Sequence, residues 1–329
     1  MIRLMDATLI MLDSFSPSGK SLVTFCEYMQ EIGILDLEIS KFCYHQILDY
    51  QKVLPEKIHF YLHLEYNDDW KKYPGVYKYV RINQRETEEN TISKIQINDI
   101  KEILKIGIYG DCNYLYISGL DDILMHTYHK IFMEIRNTLK KTKLIFAPEN
   151  TYFCATASAV EWILAGGNEV SCSFCGIGNR AATEEVYLAI HVTKRFKPNQ
   201  ILSTFVEMKH LFEEITGQKV SDYKAVIGTK IFEVESGIHV DGMIKNTAVY
   251  TAYPPEKVGL ETKIMIGKHS GSNSIISKCS TLSLEKPSEN DMNQMLLQIR
   301  KLSMVRHSNI SDEEFVQIYK EVSADEEKN

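Results

Sequence analysis

The sequence lacks any run of lysine and arginine able to offset its acidic balance, with 37 basic against 44 acidic residues and a formal net charge of -7. That argues against a nucleic-acid partner or an anionic membrane surface. No apolar run reaches the ~20 residues of a membrane span. The opening stretch MIRLMDATLIMLDSF lacks the basic segment and small-residue cleavage site of a signal peptide, so a cytoplasmic location is expected. Repeats of fixed period are absent, as is low complexity beyond the charged tail ADEEKN. Cysteines are few and odd in number, seven, and most lie in apolar runs as reduced buried thiols do. Cys172 and Cys175 have C-x-x-C spacing, but the strand-like EVSCSFCG holds them without a second pair or nearby histidine, so no zinc set is expected. What remains is a chain of 329 residues, 44% hydrophobic and 25% charged, long enough for a sizeable core and two domains.

Short apolar runs alternate with amphipathic stretches: MIRLMDATL, then helix-like SLVTFCEYMQEIG, then ILDLEIS, HQILDYQKVL and KIHFYLHLEY. This is the βαβαβ signature of a parallel sheet. VYKYVRI, SKIQIND, NYLYISG, KLIFAPEN and EVSCSFCG bring the strand count to eight, which predicts a shortened (β/α)8 TIM-type barrel over residues 1–197. Only RETEENTI separates VYKYVRI from SKIQIND, although a parallel crossover needs about a dozen residues or more. Either a helix is missing or one of the two is not a strand. Residues 198–234 read as a linker helix, NQILSTFVEMKHLFEEITG, and a loop. Residues 235–329 read as a small, mainly helical lid or dimerisation subdomain, with a Ser-x-x-Glu capping box opening SDEEFVQIYKEV.

Barrel chemistry sits at the C-terminal ends of the strands. Those ends offer Asp6 to Leu12, Glu38, Ser40, Glu65 to Asp69, Asn83, Asn98, Asp99, Gly119 to Asp122, Glu149, Asn150 and Cys175 to Arg180, with no histidine among them. Glu149 with Asp121 or Asp122 could give a hard cation oxygen ligands, although strand-end acids commonly serve as helix caps. Gly176, Gly178 and Arg180 of CGIGNR have the look of a phosphate cradle, and a tight strand-to-helix turn explains the same glycines equally well.

The segment 235–271 holds SGIHVDG at 236–242, the lysine and tyrosine of KNTAVY at 245–250, PPEKVG at 254–259 and GKHSG at 267–271. These pieces resemble the region after the barrel in the homocitrate synthase, 2-isopropylmalate synthase and citramalate synthase family, closest to the homocitrate synthases of nitrogen-fixing bacteria. A thinner likeness runs through DATL at 6–9, Glu38, ATA at 155–157 and GIGNR at 176–180. The family's reaction is a Claisen-type condensation. A divalent metal and an arginine hold and polarise a 2-oxo acid while the methyl group of acetyl-CoA is deprotonated and attacks it.

Carried over position by position, the resemblance implies losses at the barrel mouth. The arginine and acidic ligand of the family's D-T-T-L-R-(D/E)-G stand here as Ile10 and Met11, which carry no charge. The two metal histidines of H-x-H-N-D become Ala147 and Glu149, with Asn150 retained and Thr151 for the aspartate. In N-G-x-G-E-R-x-G-N the first asparagine is Cys175, the glutamate Asn179 and the second-last glycine Ala182, while the D-T-x-G loop has become Gly119 to Asp122. The expectation is a mouth stripped of charged and imidazole donors, with no metal bound by this chain. His239 matches the family's catalytic histidine, which acts across the subunit boundary. Glu38 and Asn150 match substrate-binding positions, Gly176, Gly178 and Arg180 an acyl-CoA or phosphate loop, and His269 reads as a loop buttress. Three readings follow: a non-catalytic subunit lending its lid and His239 to an active homologous partner, an acyltransferase with a redesigned site, and a stand-alone binding or regulatory protein. Acetyl-CoA, a 2-oxo acid and a hetero- or homodimeric homologous subunit are the expected partners.

Overall fold

The computed structural model describes residues 2–86, 88–193, 202–246 and 250–326. They form two compact units that divide after Gly228. The boundary expected at residue 197 lies outside the described residues, as do residues 247–249 of KNTAVY.

The first unit is a closed barrel of eight parallel strands in chain order. In sequence it comprises β1 (Arg3–Asp6), a short helix α1 (Thr8–Met11), α2 (Gly19–Glu31), β2 (Asp36–Ile39), α3 (Lys41–Gln51), β3 (His59–Leu64), β4 (Lys78–Ile82) and β5 (Thr91–Ile97). It continues through β6 (Tyr114–Gly119), α4 (Tyr128–Thr138), β7 (Lys143–Pro148), α5 (Ala155–Leu164), β8 (Glu169–Cys172), α6 (Thr183–Thr193) and α7 (Thr204–Thr216). Local chemistry explains where helices begin. Ser18 caps α2 by accepting the Ser21 N–H at 3.1 Å, and Ser40, at the end of β2, caps α3 through Cys43 N–H at 3.0 Å.

Both VYKYVRI and SKIQIND are strands. β4 and β5 pair in parallel from Tyr79↔Thr91 to Ile82↔Lys94, so a crossover helix is absent rather than a strand misread. The intervening loop closes over the outside of β5, where Ser93 Oγ accepts the Glu86 N–H at 2.8 Å. The neighbouring connections are thin too. A single 3-10 turn, Trp70–Lys72, lies between β3 and β4, and a 3-10 stretch, Ile100–Tyr109, joins β5 to β6 behind an Asp99–Glu102 capping box. Elsewhere the coat is thick. Phe132, Phe146 and Trp162 pack ring against ring at 5.2 to 5.5 Å between α4, β7 and α5.

α7, read from sequence as part of a linker, belongs to this unit. It packs on α2, and Phe205 and Phe212 lie 6.4 and 5.8 Å from Phe174. At the barrel's N-terminal end, Arg3 pairs with Asp36 at 2.6 Å, and Tyr61 donates to the same carboxylate at 2.9 Å. Such a closure at the bottom face serves stability.

The second unit, Thr229–Asn329, carries β9 (Glu233–Val234), α8 (Gly237–Asn246), β10 (Lys263–Ile264), α9 (Ser272–Thr281), α10 (Glu289–Arg306) and α11 (Asp312–Glu326). Its core includes Ile266, Ile275, Met295, Ile299, Phe315 and Val322. The capping box read from sequence forms: Ser311 N–H reaches Glu314 Oε2 at 2.9 Å, and Glu314 N–H reaches Ser311 Oγ at 3.3 Å. Among the described residues no helix is long and apolar enough to cross a membrane.

Gly119 ends β6 at φ +93°, and a Cβ there would collide with the carbonyl oxygen of Ile97. Gly119→Ala should therefore cost about 2–4 kcal/mol in urea unfolding, as backbone strain and a clash add. An unchanged midpoint would contradict this placement.

Candidate functional site

In a strand successive side chains alternate between faces, so each strand sends every second residue into the barrel. Glu38 on β2, His63 on β3, Lys94 on β5, Tyr116 on β6, Ala147 on β7 and Ser171 on β8 share the upper interior by that rule. Glu38 is fully buried. Its Oε1 accepts the Tyr116 phenol at 3.0 Å and the Ser171 hydroxyl. His63 Nε2 stands 2.7 Å from Oε2, although off the straight hydrogen-bond line. Arg180, 5% exposed, turns in from the loop after β8 and donates through Nη1 to the Tyr116 oxygen at 3.0 Å. The Lys94 ammonium lies 4.7 Å over the Tyr116 ring.

This arrangement is a chain of donors ending on one carboxylate: Arg180 to Tyr116 to Glu38, with Ser171 and His63 beside it. Burial works to raise the Glu38 pKa, yet His63, Lys94 and Arg180 hold the carboxyl down at about 2. Burial draws the Lys94 ammonium down to about 8 and also lowers His63, which is therefore neutral near pH 7. The mouth is thus not stripped of charged and imidazole groups, as the sequence reading expected. It keeps them, and they face one another.

His63, Lys94, Tyr116 and Ser171 lie within their strands and not among the residues that follow them, so the strand ends alone do not point to them. Alternation in HFYLHL, TISKIQI, YLYISG and EVSC was the available signal.

The remaining predicted positions are tied into the backbone. Asn150 Oδ1 accepts Ala155 N–H at 3.0 Å at the start of α5, and its own N–H reaches Asn179 O at 3.0 Å. Gly176 and Gly178 both have φ +71°, flanked by left-handed Cys175 and Asn179. A Cβ on Gly178 would collide with the Met11 thioether. Met11, standing where the resemblance implies an acidic ligand, thus packs against the glycine loop. His239, on α8 in the second unit, is exposed, and its ring meets that of Tyr250 edge-on at 5.4 Å. In the same unit Glu235 Oε1 accepts the His269 N–H at 2.9 Å, which fixes the GKHSG turn.

The donor set does not fit a divalent metal. Ala147 and Met11 offer no hard ligand. Glu149 accepts from Gln96 Nε2 at 3.0 Å, and Asp122 turns to His126 at 3.0 Å. Among the described residues no three His, Cys, Asp or Glu side chains gather as a metal site.

Barrel and mouth together place the chain in a class of (β/α)8 proteins seen in solved structures. Hydroxymethylglutaryl-CoA lyase from Pseudomonas aeruginosa superposes with a TM-score of 0.53 at 10% identity, over 66% of this chain and 94% of that one. The carboxyl transferase domain of Rhizobium etli pyruvate carboxylase gives 0.54 at 11%, over 94% and 61%. These likenesses concern the fold.

In sequence, residues 226–307 match the family model "Homocitrate synthase post-HMGL domain-like". The homocitrate synthase omega subunit of Clostridium pasteurianum is 27% identical over 90% of this chain and 88% of its own length. Homocitrate synthase AksA of Methanocaldococcus jannaschii is 32% identical over 59% of this chain, and 2-isopropylmalate synthase 2 of Caldanaerobacter subterraneus is 34% identical over 53%. The chain spans less than half the length of those two, 48% and 46%. These matches support a likeness to the homocitrate synthase and 2-isopropylmalate synthase family.

Glu38→Gln should destabilise the fold by about 3–5 kcal/mol, because Arg180 and Lys94 lose their buried counter-charge. The pH dependence has a definite sign. A carboxyl held at about 2 in the fold against its ordinary 4.5 stabilises fully above 4.5 and loses that contribution as pH falls towards 2. In urea titrations the gap between wild type and Glu38→Gln should therefore shrink from pH about 4.5 downward, and a gap constant to pH 2 would refute the assignment.

Proposed function

We propose that this chain is a non-catalytic homocitrate synthase-like subunit, whose barrel is structural and whose C-terminal unit, with His239, completes the site of an active homologous partner in the cytoplasm. The observation that carries this reading is the self-paired interior. Glu38, which the resemblance assigns to substrate, already has its oxygens engaged by Tyr116, Ser171 and His63. The positions that would grip a metal hold Met11 and Ala147. Removing several members of a cooperating site leaves little residual catalysis.

Support for a partner comes from three directions. The relative matched over nearly its whole length is by name one subunit, omega. His239 is exposed, as a residue serving another chain must be before assembly. The loops after β3, β6 and β7 expose Tyr66 (79%), Met125 (62%) and Phe153 (91%), apolar surface suited to burial against another protein. The reaction of the assembly is then acetyl-CoA plus a 2-oxo acid, 2-oxoglutarate by the likeness of the C-terminal segment, giving homocitrate.

A second reading, a stand-alone binding protein for a small 2-oxo acid, has one observation in its favour. The Lys94 ammonium rests on the Tyr116 ring face, where it could turn to a carboxylate entering the mouth.

Purifying the tagged chain from its host, identifying co-purified proteins and assaying acyl transfer decides between them. The expected result is no activity and no stoichiometric divalent metal in the isolated chain. Activity should appear with a co-purified homologue and fall by about 100-fold or more in His239→Ala, the size of a lost acid–base group. An isolated chain that binds metal and turns over would overturn the proposal, and tight 2-oxo acid binding without any partner would favour the second reading.

A further inference from the structure

A second buried charge cluster lies behind the barrel mouth and has no part in the reading above. Glu184, on α6, is fully buried. Its Oε2 accepts the backbone N–H of Cys175 at 2.9 Å, which helps hold Cys175 at φ 58°, a conformation unfavourable for a residue with a side chain. Its Oε1 lies 3.3 Å from Lys224 Nζ. Lys224 also pairs with Glu185, which takes the Thr156 hydroxyl at the start of α5 at 3.1 Å.

Lys224 belongs to the segment 218–228 that follows α7 and ends where the second unit begins. This segment is tightly folded. Val220 N–H reaches Glu213 Oε1 at 2.8 Å, Lys209 Nζ reaches Ile227 O at 3.3 Å, and Gly228 N–H returns to Lys224 O at 2.7 Å. Gly228 has no room for a Cβ, which would collide with Asp222 O. Between this segment and the mouth loop lies a cavity of about 220 Å³, lined by Cys175, Ile177, Phe212, Val220, Ser221 and Lys224 among others.

We propose that residues 218–228 form a strap latched by Lys224 on Glu184 and Glu185, and that strap and mouth loop 173–182 open together. One carboxylate serves both sides. Burial pushes the Glu184 carboxyl up to about 7 and Lys224 draws it back down, so only with Lys224 in place does its ionised form stay available near neutral pH to hold the Cys175 N–H. When the strap lifts, the buried charge loses its counter-ion, a state costly enough that the carboxyl must take up a proton or swing towards water. Either way it weakens its hold on Cys175, whose left-handed backbone then relaxes. Conversely, anything that shifts the mouth loop pulls Glu184 from Lys224 and loosens the strap. The coupling gives the barrel mouth a physical link to the chain leading into the second unit, whether or not the barrel turns over substrate.

The test uses the full chain carrying Cys154→Ser, so that Cys175 is the one partly accessible thiol among the described residues. Hydrogen exchange is followed by mass spectrometry in peptides covering 173–182 and 218–228, and maleimide labelling of Cys175 is timed. In Lys224→Met both segments should exchange, and Cys175 should label, about tenfold faster or more, while Lys224→Arg stays near the parent and β3 to β5 are unaffected. In the reverse direction Gly178→Ala, which forces Met11 against the mouth loop, should speed exchange in 218–228. A strap that loosens in Lys224→Met while 173–182 and Cys175 stay protected would overturn the proposal, as would a strap unmoved by Gly178→Ala. Should Lys224→Met not fold, the Gly178→Ala result decides alone.

Discussion

The upper half of the barrel depends on keeping one fully buried carboxylate, Glu38, charged. A lone buried anion is among the costliest things a fold can hold, and it survives only where every lone pair finds a donor and a cation stands near. Here donors arrive from β6 and β8, the His63 ring of β3 lies against the second oxygen, and the guanidinium of Arg180 reaches the Tyr116 phenol from beyond β8. Four separate chain segments therefore converge on one group. That convergence specifies which strands lie opposite one another across the barrel, information that an aliphatic interior of the same volume would supply less sharply. Beneath it Met5, Val80, Ile92 and Ile145 fill the interior with ordinary apolar contact.

The same network places two cations, Lys94 and Arg180, close to the buried carboxylate. Lys94 and Arg180 supply the positive field around Glu38 as fixed side chains. The thioether at position 11 packs on Gly178, and the alanine at 147 sits fully buried on β7. Charge compensation within the protein yields a rigid interior. It also engages Glu38 Oε1 with two donors, Tyr116 and Ser171, and sets His63 against Oε2.

Much of the architecture was legible because its signals are local. Eight apolar runs rich in β-branched and aromatic residues, bounded by polar turns, mark strands wherever they fall, and Ser18, Ser40, Asp99 and Ser311 announce helix starts by chemistry confined to three or four residues. The β4–β5 connection violated the usual crossover length, and the length was the correct clue: the helix is absent. The site was less legible. Its residues are not clustered in sequence, since Glu38 and Ser171 lie 133 positions apart, and only the alternation of each strand reveals which face a residue takes. The inward turn of Arg180 depends on a loop with left-handed backbone at Cys175, Gly176, Gly178 and Asn179. Two of these are not glycine, so no residue pattern advertises that path. The extent of the first unit was hidden for a different reason. α7 reads as a free amphipathic helix until the aromatic contacts of Phe205 and Phe212 with Phe174 are known.

The two units differ in what they have kept. In the barrel the positions that the resemblance would assign to a metal and a 2-oxo acid are packed or paired within the protein, Met11 on Gly178, Glu149 with Gln96 and Asp122 with His126. In the second unit SGIHVDG and GKHSG stand intact, and the structure gives them local tasks. A Cβ on Gly237 would press on Gly271, so two motif glycines allow α8 and the start of α9 to approach closely, and Glu235 fixes the GKHSG turn. Those tasks explain the glycines and the turn. They do not explain the exposed imidazole of His239, which is spared the burial and pairing that fix His63 inside the barrel. The His239 ring is exposed and meets only the edge of Tyr250 among the ring contacts of the described residues in its unit, the openness that the proposed task in a partner's site would require.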